Sequence, residues 1–288
     1  MSANNKFPGA IVTCGLALAA LAVTPAVRAE VAAPPGAGPA PTVANQPAAA
    51  APACNAPAEF TRFVHPLAHT ARRLASDTPL VIVAIGSSST FGAGATSPAA
   101  SYPNRLAAEL KLRFPTRDIT VLNRGVNGEE TAQMLARFEK DVIAAHPDLV
   151  LWQVGTNSVM RDHSLQTHEV LLREGVEQLK KNGTDVVLMD MQYVPKVLGK
   201  SETPAMEDQL AMTAKRENID LFDRFAIMRD WHEIQHISFE TFVAPDGLHM
   251  NDWGYACFAQ TLGDDIIRSV GQIKLGINVP SAQANRPM

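Results

Sequence analysis

From residue 79 onward the chain alternates short apolar runs with longer stretches in which apolar residues recur every three or four positions. Residues 80–85 form a β-branched run that ends at Gly86. Residues 118–122, 149–154 and 185–189 are runs of the same kind, and 219–222 is a weaker one. Short runs of this sort, apolar almost throughout, predict strands buried on both faces. Between them, Leu106 and Leu110 mark one helix, and Met134, Leu135, Phe138 and Val142 a second. Leu165, Leu172, Val176 and Leu179 mark a third, stopped by Asn182-Gly183; Tyr255, Ala259, Leu262, Ile266 and Val270 mark the last. The alternation predicts an α/β fold, with a central parallel sheet of about five strands covered by helices on both faces. Such sheets bind ligands at the carboxyl ends of their strands, so chemistry is expected just after each strand.

The first 57 residues break this pattern. Lys6 precedes an uncharged, largely apolar run over residues 10–23. That run is shorter than the ~20 residues of a membrane-spanning helix. Val27 and Ala29 supply small residues at the −3 and −1 positions of a cleavage site, so residues 1–29 are expected to be a secretory signal peptide. Residues 30–57 are mostly Ala, Pro, Gly and small polar residues. They hold too little apolar surface to offset ordering entropy and are expected to be a disordered tether. Residues 58–275 are then the folded domain and 276–288 a tail.

Charge and cysteine content narrow the partners. The formal net charge is −4, and removing residues 1–29 takes away Lys6 and Arg28 and no acid, leaving −6. That balance gives no electrostatic footprint for nucleic acid and leaves neutral or sugar-like substrates open. Periplasmic or secreted location is the expectation. Cys54 and Cys257 remain after export, either as a disulfide or as two separate thiols.

Four short blocks fall at the strand ends or in the last loop. They are Gly86-Ser87-Ser88-Ser89-Thr90-Phe91-Gly92, Asn123-Arg124-Gly125-Val126-Asn127-Gly128, Gly155-Thr156-Asn157 and Asp246-Gly247-Leu248-His249. Each alone is a common turn composition; their joint placement is what points to chemistry. A serine hydroxyl becomes a useful nucleophile when a base takes its proton, and His249 is the candidate base. Asp246, three residues earlier, can hold the imidazole tautomer and stabilise the imidazolium. With strand order 2-1-3-4-5, Gly128 and Asn157 flank the serine loop. The backbone N–H groups of Ser88 and Gly128 and the Asn157 amide are then candidate oxyanion donors.

These blocks resemble the SGNH (GDSL-like) hydrolase superfamily over roughly residues 80–270. The resemblance implies a flavodoxin-like three-layer α/β/α sandwich, no metal and no organic cofactor. Ser88 falls on the nucleophile position, Gly128 and Asn157 on the oxyanion positions, and Asp246 and His249 on the Asp-x-x-His block. It implies an ester hydrolase; acetyl groups of carbohydrates are one substrate class and O-acyl transfer an alternative reaction. One departure stands out: the residue before the nucleophile is usually Asp, and here it is Ser87. Three consecutive serines leave the nucleophile open on chemistry alone. Ser88 is favoured because Thr90 and Gly92 then fall in register with the family block.

Two other readings compete. His232-Glu233-Ile234-Gln235-His236 fits a zinc-protease pattern, but no Glu follows Glu240 to act as third ligand, and Phe239 occupies the Gly position of the longer variant. The segment 231–239 is instead expected to be a cap near the cleft or to serve simple packing. The Ser/Thr-rich loop at 87–90 also suits a flavodoxin-like, non-catalytic binding module, a reading that has no use for Asp246 and His249. Asp190 either lines the cleft or serves a helix cap or loop. His65, His69, His163 and His168 are expected to be surface or satisfied residues.

Overall fold

The computed structural model describes residues 51–273. The expected signal peptide, the tether up to residue 50 and the tail lie outside the described residues. Five strands, β1 (Leu80–Gly86), β2 (Ile119–Gly125), β3 (Leu149–Gln153), β4 (Asp185–Met189) and β5 (Asp220–Phe222), form one parallel sheet in the order β2-β1-β3-β4-β5. This matches the order 2-1-3-4-5 expected with the flavodoxin-like fold. Strands β1 and β3 are buried almost throughout, as near-continuous apolar runs require when helices cover both faces. Helices Ala68–Ala75, Tyr102–Arg113 and Asp252–Gly271 group together, and Thr131–Ala136, Leu165–Lys181 and Thr203–Glu217 form a second group. Among the described residues no helix is long and apolar enough to cross a membrane.

Three features differ from the sequence reading. The apolar positions Met134, Leu135 and Phe138 belong to two short helices, Thr131–Ala136 and Phe138–Asp141, and Val142 lies just past the second. The break falls at Arg137, whose guanidinium reaches back to the carbonyl of Arg124 at 2.8 Å and to Glu129. The helix Thr203–Glu217 was not anticipated; Met206, Leu210 and Ala214 face the core from it, and Pro204 stands in its first turn. The end of the expected tether is packed against the domain. Cys54 is bridged to Cys257. Trp231 Nε1 donates to the Asn55 carbonyl at 2.8 Å, and Trp253 Nε1 to that of Pro52 at 3.2 Å. Contacts with the domain therefore begin before residue 58. Composition missed this because a disulfide and two indole hydrogen bonds tie the segment down, with only Cys54 and Ala56 of it packed against the core.

Candidate active site

The carboxyl ends of β1, β2 and β3 and the loop before the final helix meet at one edge of the sheet. After β1 the chain turns directly into a one-turn helix, Ser88–Phe91. Gly86 makes that turn possible, because a Cβ there would lie 2.2 Å from Thr90 Oγ1 and 2.8 Å from Gln153 Oε1. Of the three consecutive serines, Ser87 and Ser89 are buried and Ser88 is half-buried. Ser87 gives its hydroxyl to Gln153 at 3.0 Å. Ser88 Oγ lies 2.8 Å from His249 Nε2. His249 Nδ1 lies 2.5 Å from Asp246 Oδ2. The other Asp246 oxygen accepts the backbone N–H groups of Leu248 and His249 at 2.9 and 3.0 Å, which closes the loop into a compact turn. Partial burial alone would raise the Asp246 carboxyl. The hydrogen bonds from the His249 ring and from the two backbone N–H groups outweigh it and hold the carboxyl below its ordinary value.

Gly128 and Asn157 stand after the two strands that flank β1. Gly128 has φ +78°, a left-handed conformation that favours glycine. Arg161 holds its carbonyl at 2.8 Å. Among the described residues no protein backbone acceptor takes the N–H of Ser88 or Gly128. Asn157 donates one amide hydrogen to the Glu129 carbonyl at 2.8 Å, leaving a second for another acceptor. Glu129 is itself paired with Arg137 at 2.6 Å. Beside it Glu130 accepts from Arg161 at 2.5 Å and Ser158 at 3.2 Å, with His163 at 2.8 Å. Burial would raise the Glu130 carboxyl, but these partners bring it below its ordinary value.

The remaining candidates fall outside this chain of contacts. Asp190 is fully buried and accepts the backbone N–H of Phe225 at 3.1 Å, a capping role and not an open cleft wall. Burial, and then the neighbouring Glu207 and Asp223 carboxylates, push it well above its ordinary value. His65, His69, His163 and His168 each have a side-chain partner, in Asp220, Arg72, Glu130 and Gln209. The pattern His232 to His236 does not occupy one helical face. The helix Arg224–Arg229 runs into a π-helical turn over Asp230–Ile234, and His236 adopts a left-handed backbone with φ 55°. His232 stacks on Phe239 with ring centroids 3.8 Å apart, and Glu233 accepts from the Tyr193 hydroxyl. Among the described residues no group of three or more His, Cys, Asp or Glu side chains is arranged to hold a metal.

Gln153, Gln192, Arg137 and Arg161 went unnoticed in the sequence. They act through long-range hydrogen bonds, buried at the two glutamines and more exposed at the two arginines, that leave no motif.

A sequence model of the non-GDSL lipase-like family matches residues 53–272, and the chain belongs to that family. An arylesterase of Vibrio mimicus is 25% identical over 153 residues, which are 53% of this chain and 72% of the arylesterase. An acetylxylan esterase of Geobacillus stearothermophilus is 31% identical over 114 residues, 36% of this chain and only 50% of that enzyme. The crystal structure of a two-domain esterase active on acetylated mannans, co-crystallised with mannopentaose, superposes with a TM-score of 0.62 at 22% identity. The match covers 78% of this chain and 58% of that one, and speaks for a shared fold. By family and relatives the chain is a carboxylic ester hydrolase, which removes the non-catalytic reading of its first loop.

Proposed function

We propose that the protein is an exported serine esterase that removes O-acetyl groups from carbohydrate. The observation that carries this reading is the unbroken hydrogen-bonded row of Asp246, His249 and Ser88 at the strand ends. Ser88 Oγ attacks the acyl carbon while His249 Nε2 takes its proton, and Asp246 stabilises the imidazolium. The negative charge on the former carbonyl oxygen is met by the N–H groups of Ser88 and Gly128 and the free amide hydrogen of Asn157. Collapse breaks the bond to the alcohol oxygen, which takes the proton from His249 and leaves an acyl-Ser88. Water then attacks with its proton passing to His249. The second collapse releases the acid and returns the proton to Ser88.

Two observations support the finer points. The relatives include esterases that act on acetylated xylan and mannan, which favours acetylated glycans as substrate. The Cys54–Cys257 bridge suits an oxidising compartment, in keeping with a cleaved leader at residues 1–29.

Acetate release from acetylated xylan and mannan, compared with p-nitrophenyl esters of graded chain length, tests the substrate. Ser88→Ala, Ser87→Ala and Ser89→Ala test the nucleophile. Ser88→Ala is expected to lose several orders of magnitude while staying folded. Near-wild-type turnover by Ser88→Ala ends the mechanism. Faster release of long acyl chains than of acetate ends the substrate assignment.

A further inference from the structure

Gln192 follows β4 and is almost fully buried, at 1% exposure. Its side chain touches both halves of the site. The amide oxygen accepts the Thr156 hydroxyl at 3.0 Å and Arg224 Nη2 at 2.9 Å. The amide nitrogen donates to the Leu248 carbonyl at 3.0 Å. A guanidinium only donates and a carbonyl only accepts, so these partners permit one orientation of the amide. Thr156 directly precedes Asn157. The Leu248 carbonyl belongs to the peptide whose N–H, that of His249, is held by Asp246. Arg224, with no exposed surface, also donates to the Asp190 carbonyl and so fixes Gln192 to the end of β4.

We infer that Gln192 is a positioning residue, which sets the His249 loop and the Asn157 turn at a fixed separation through one buried amide. The inference rests on the proposal that Ser88 and His249 carry the reaction. Base and oxyanion donors must act on the same tetrahedral centre, yet they stand on segments about ninety residues apart in the chain. A displacement of about 1 Å between catalytic groups is enough to cost ~100-fold in rate. Gln192 touches no reacting atom in this scheme, so its loss is read in kcat and leaves substrate binding in place.

The test compares wild type, Gln192→Met, Thr156→Val, Thr156→Ser and the double variant Gln192→Met/Thr156→Val. The readouts are steady-state hydrolysis of p-nitrophenyl acetate, the rate of covalent labelling by a fluorophosphonate probe, and Tm. Gln192→Met keeps the volume and removes all three hydrogen bonds. Thr156→Val removes one bond, and Thr156→Ser restores it. The expected result is a fall in kcat of about 10- to 100-fold for Gln192→Met and Thr156→Val. KM stays within about threefold, labelling slows in parallel, and Thr156→Ser recovers near-wild-type kcat. The double variant loses little more than Gln192→Met alone, as expected of groups acting in one link. If Gln192→Met fails to fold because Arg224 loses its acceptor, the Thr156 pair decides. Wild-type kcat in Thr156→Val, or an equal loss in Thr156→Ser, overturns the inference. Failure of the underlying mechanism looks different: wild type is then not labelled on Ser88, or Ser88→Ala hydrolyses at the wild-type rate, and the inference falls with it.

Discussion

The amide oxygen of Gln153 accepts both polar hydrogens of Ser87, the backbone N–H at 2.9 Å and the hydroxyl at 3.0 Å, and also the Thr90 hydroxyl at 3.3 Å. Ser87 stands where the SGNH pattern carries Asp, and Gln153 is 1% exposed at the end of β3. A neutral amide thus holds both sides of the turn that presents Ser88. Ser87→Asp would set a carboxylate against the amide oxygen. The amide would have to turn over to donate, leaving the residue 87 N–H and the Thr90 hydroxyl without their acceptor. Restoring the familiar Asp is therefore expected to lower kcat by about tenfold or more, with KM little changed. Steady-state kinetics on p-nitrophenyl acetate check this; a variant as fast as wild type sinks it.

Asn157→Ala tests the oxyanion donor. One amide hydrogen is held by the Glu129 carbonyl and, among the described residues, no acceptor takes the other, which is the one proposed to meet the oxyanion. The free hydrogen gains strength only as charge develops, so the loss is expected in kcat, at roughly 3–4 kcal/mol, with little change in KM. A change confined to KM would assign Asn157 to ground-state binding.

How far the sequence announced these residues depends on how each one acts. Ser88, Gly128, Asn157, Asp246 and His249 sit in short local blocks at strand ends, where type and order are readable. Gln153 and Gln192 act through distant partners, and a buried amide has no composition or spacing that marks it. Strands β1, β3 and β4 were legible because burial on both faces makes their runs almost wholly apolar. The split at Arg137 was not, since apolar spacing continues across it and the break comes from long-range bonds to Arg124 and Glu129. The helix Thr203–Glu217 did carry a signal, in Pro204 and the spacing of Met206, Leu210 and Ala214.

The Cys54–Cys257 bridge closes a loop across 203 positions and ties the start of the domain to its final helix. Cross-links over long loops restrict the unfolded chain, with typical gains of about 2–5 kcal/mol. Cys54→Ala/Cys257→Ala is expected to lower Tm by roughly 5–15 °C. Neither cysteine takes part in the proposed chemistry, so kcat/KM at room temperature should stay within about threefold of wild type. Thermal melts and kinetics on the double variant check both halves, and an unchanged Tm contradicts a stabilising bridge.

Asp265 supplies a pH dependence of stability whose sign can be worked out. It is 1% exposed, and burial raises its carboxyl to about 7, with the Arg268 guanidinium opposing the shift. Between about pH 4 and 7 the folded protein keeps a proton that the unfolded chain releases, so stability falls as pH rises through that window. Above it both states are ionised and the contribution is constant. Asp265→Asn does not titrate, so its Tm relative to wild type should rise from pH 5 to pH 8. A difference that is flat with pH would show that the carboxyl is ionised in the fold throughout.

The pH dependence of the rate tests the Asp246–His249 pair directly. Burial would raise the Asp246 carboxyl, but the His249 ring and two backbone N–H groups together hold it below its ordinary value. It therefore remains ionised throughout the range from pH ~5 to 9, well above where an ordinary aspartate titrates. A general base works only when neutral, and histidine is the side chain that changes charge in this range. The log of kcat/KM should then show one acid limb of unit slope and a level region above it, with no second limb from Asp246. Asp246→Asn should lower the level region by on the order of 10³–10⁴, because the imidazole loses the carboxylate that fixes its tautomer and balances its charge. His249→Ala should leave almost no activity. The measurement is a pH–rate profile on a non-ionising ester for wild type and both variants. A slope of two at the acid end would mean that Asp246 titrates with the base, contrary to its hydrogen bonding. A flat wild-type profile, or an active His249→Ala, would remove histidine from the mechanism.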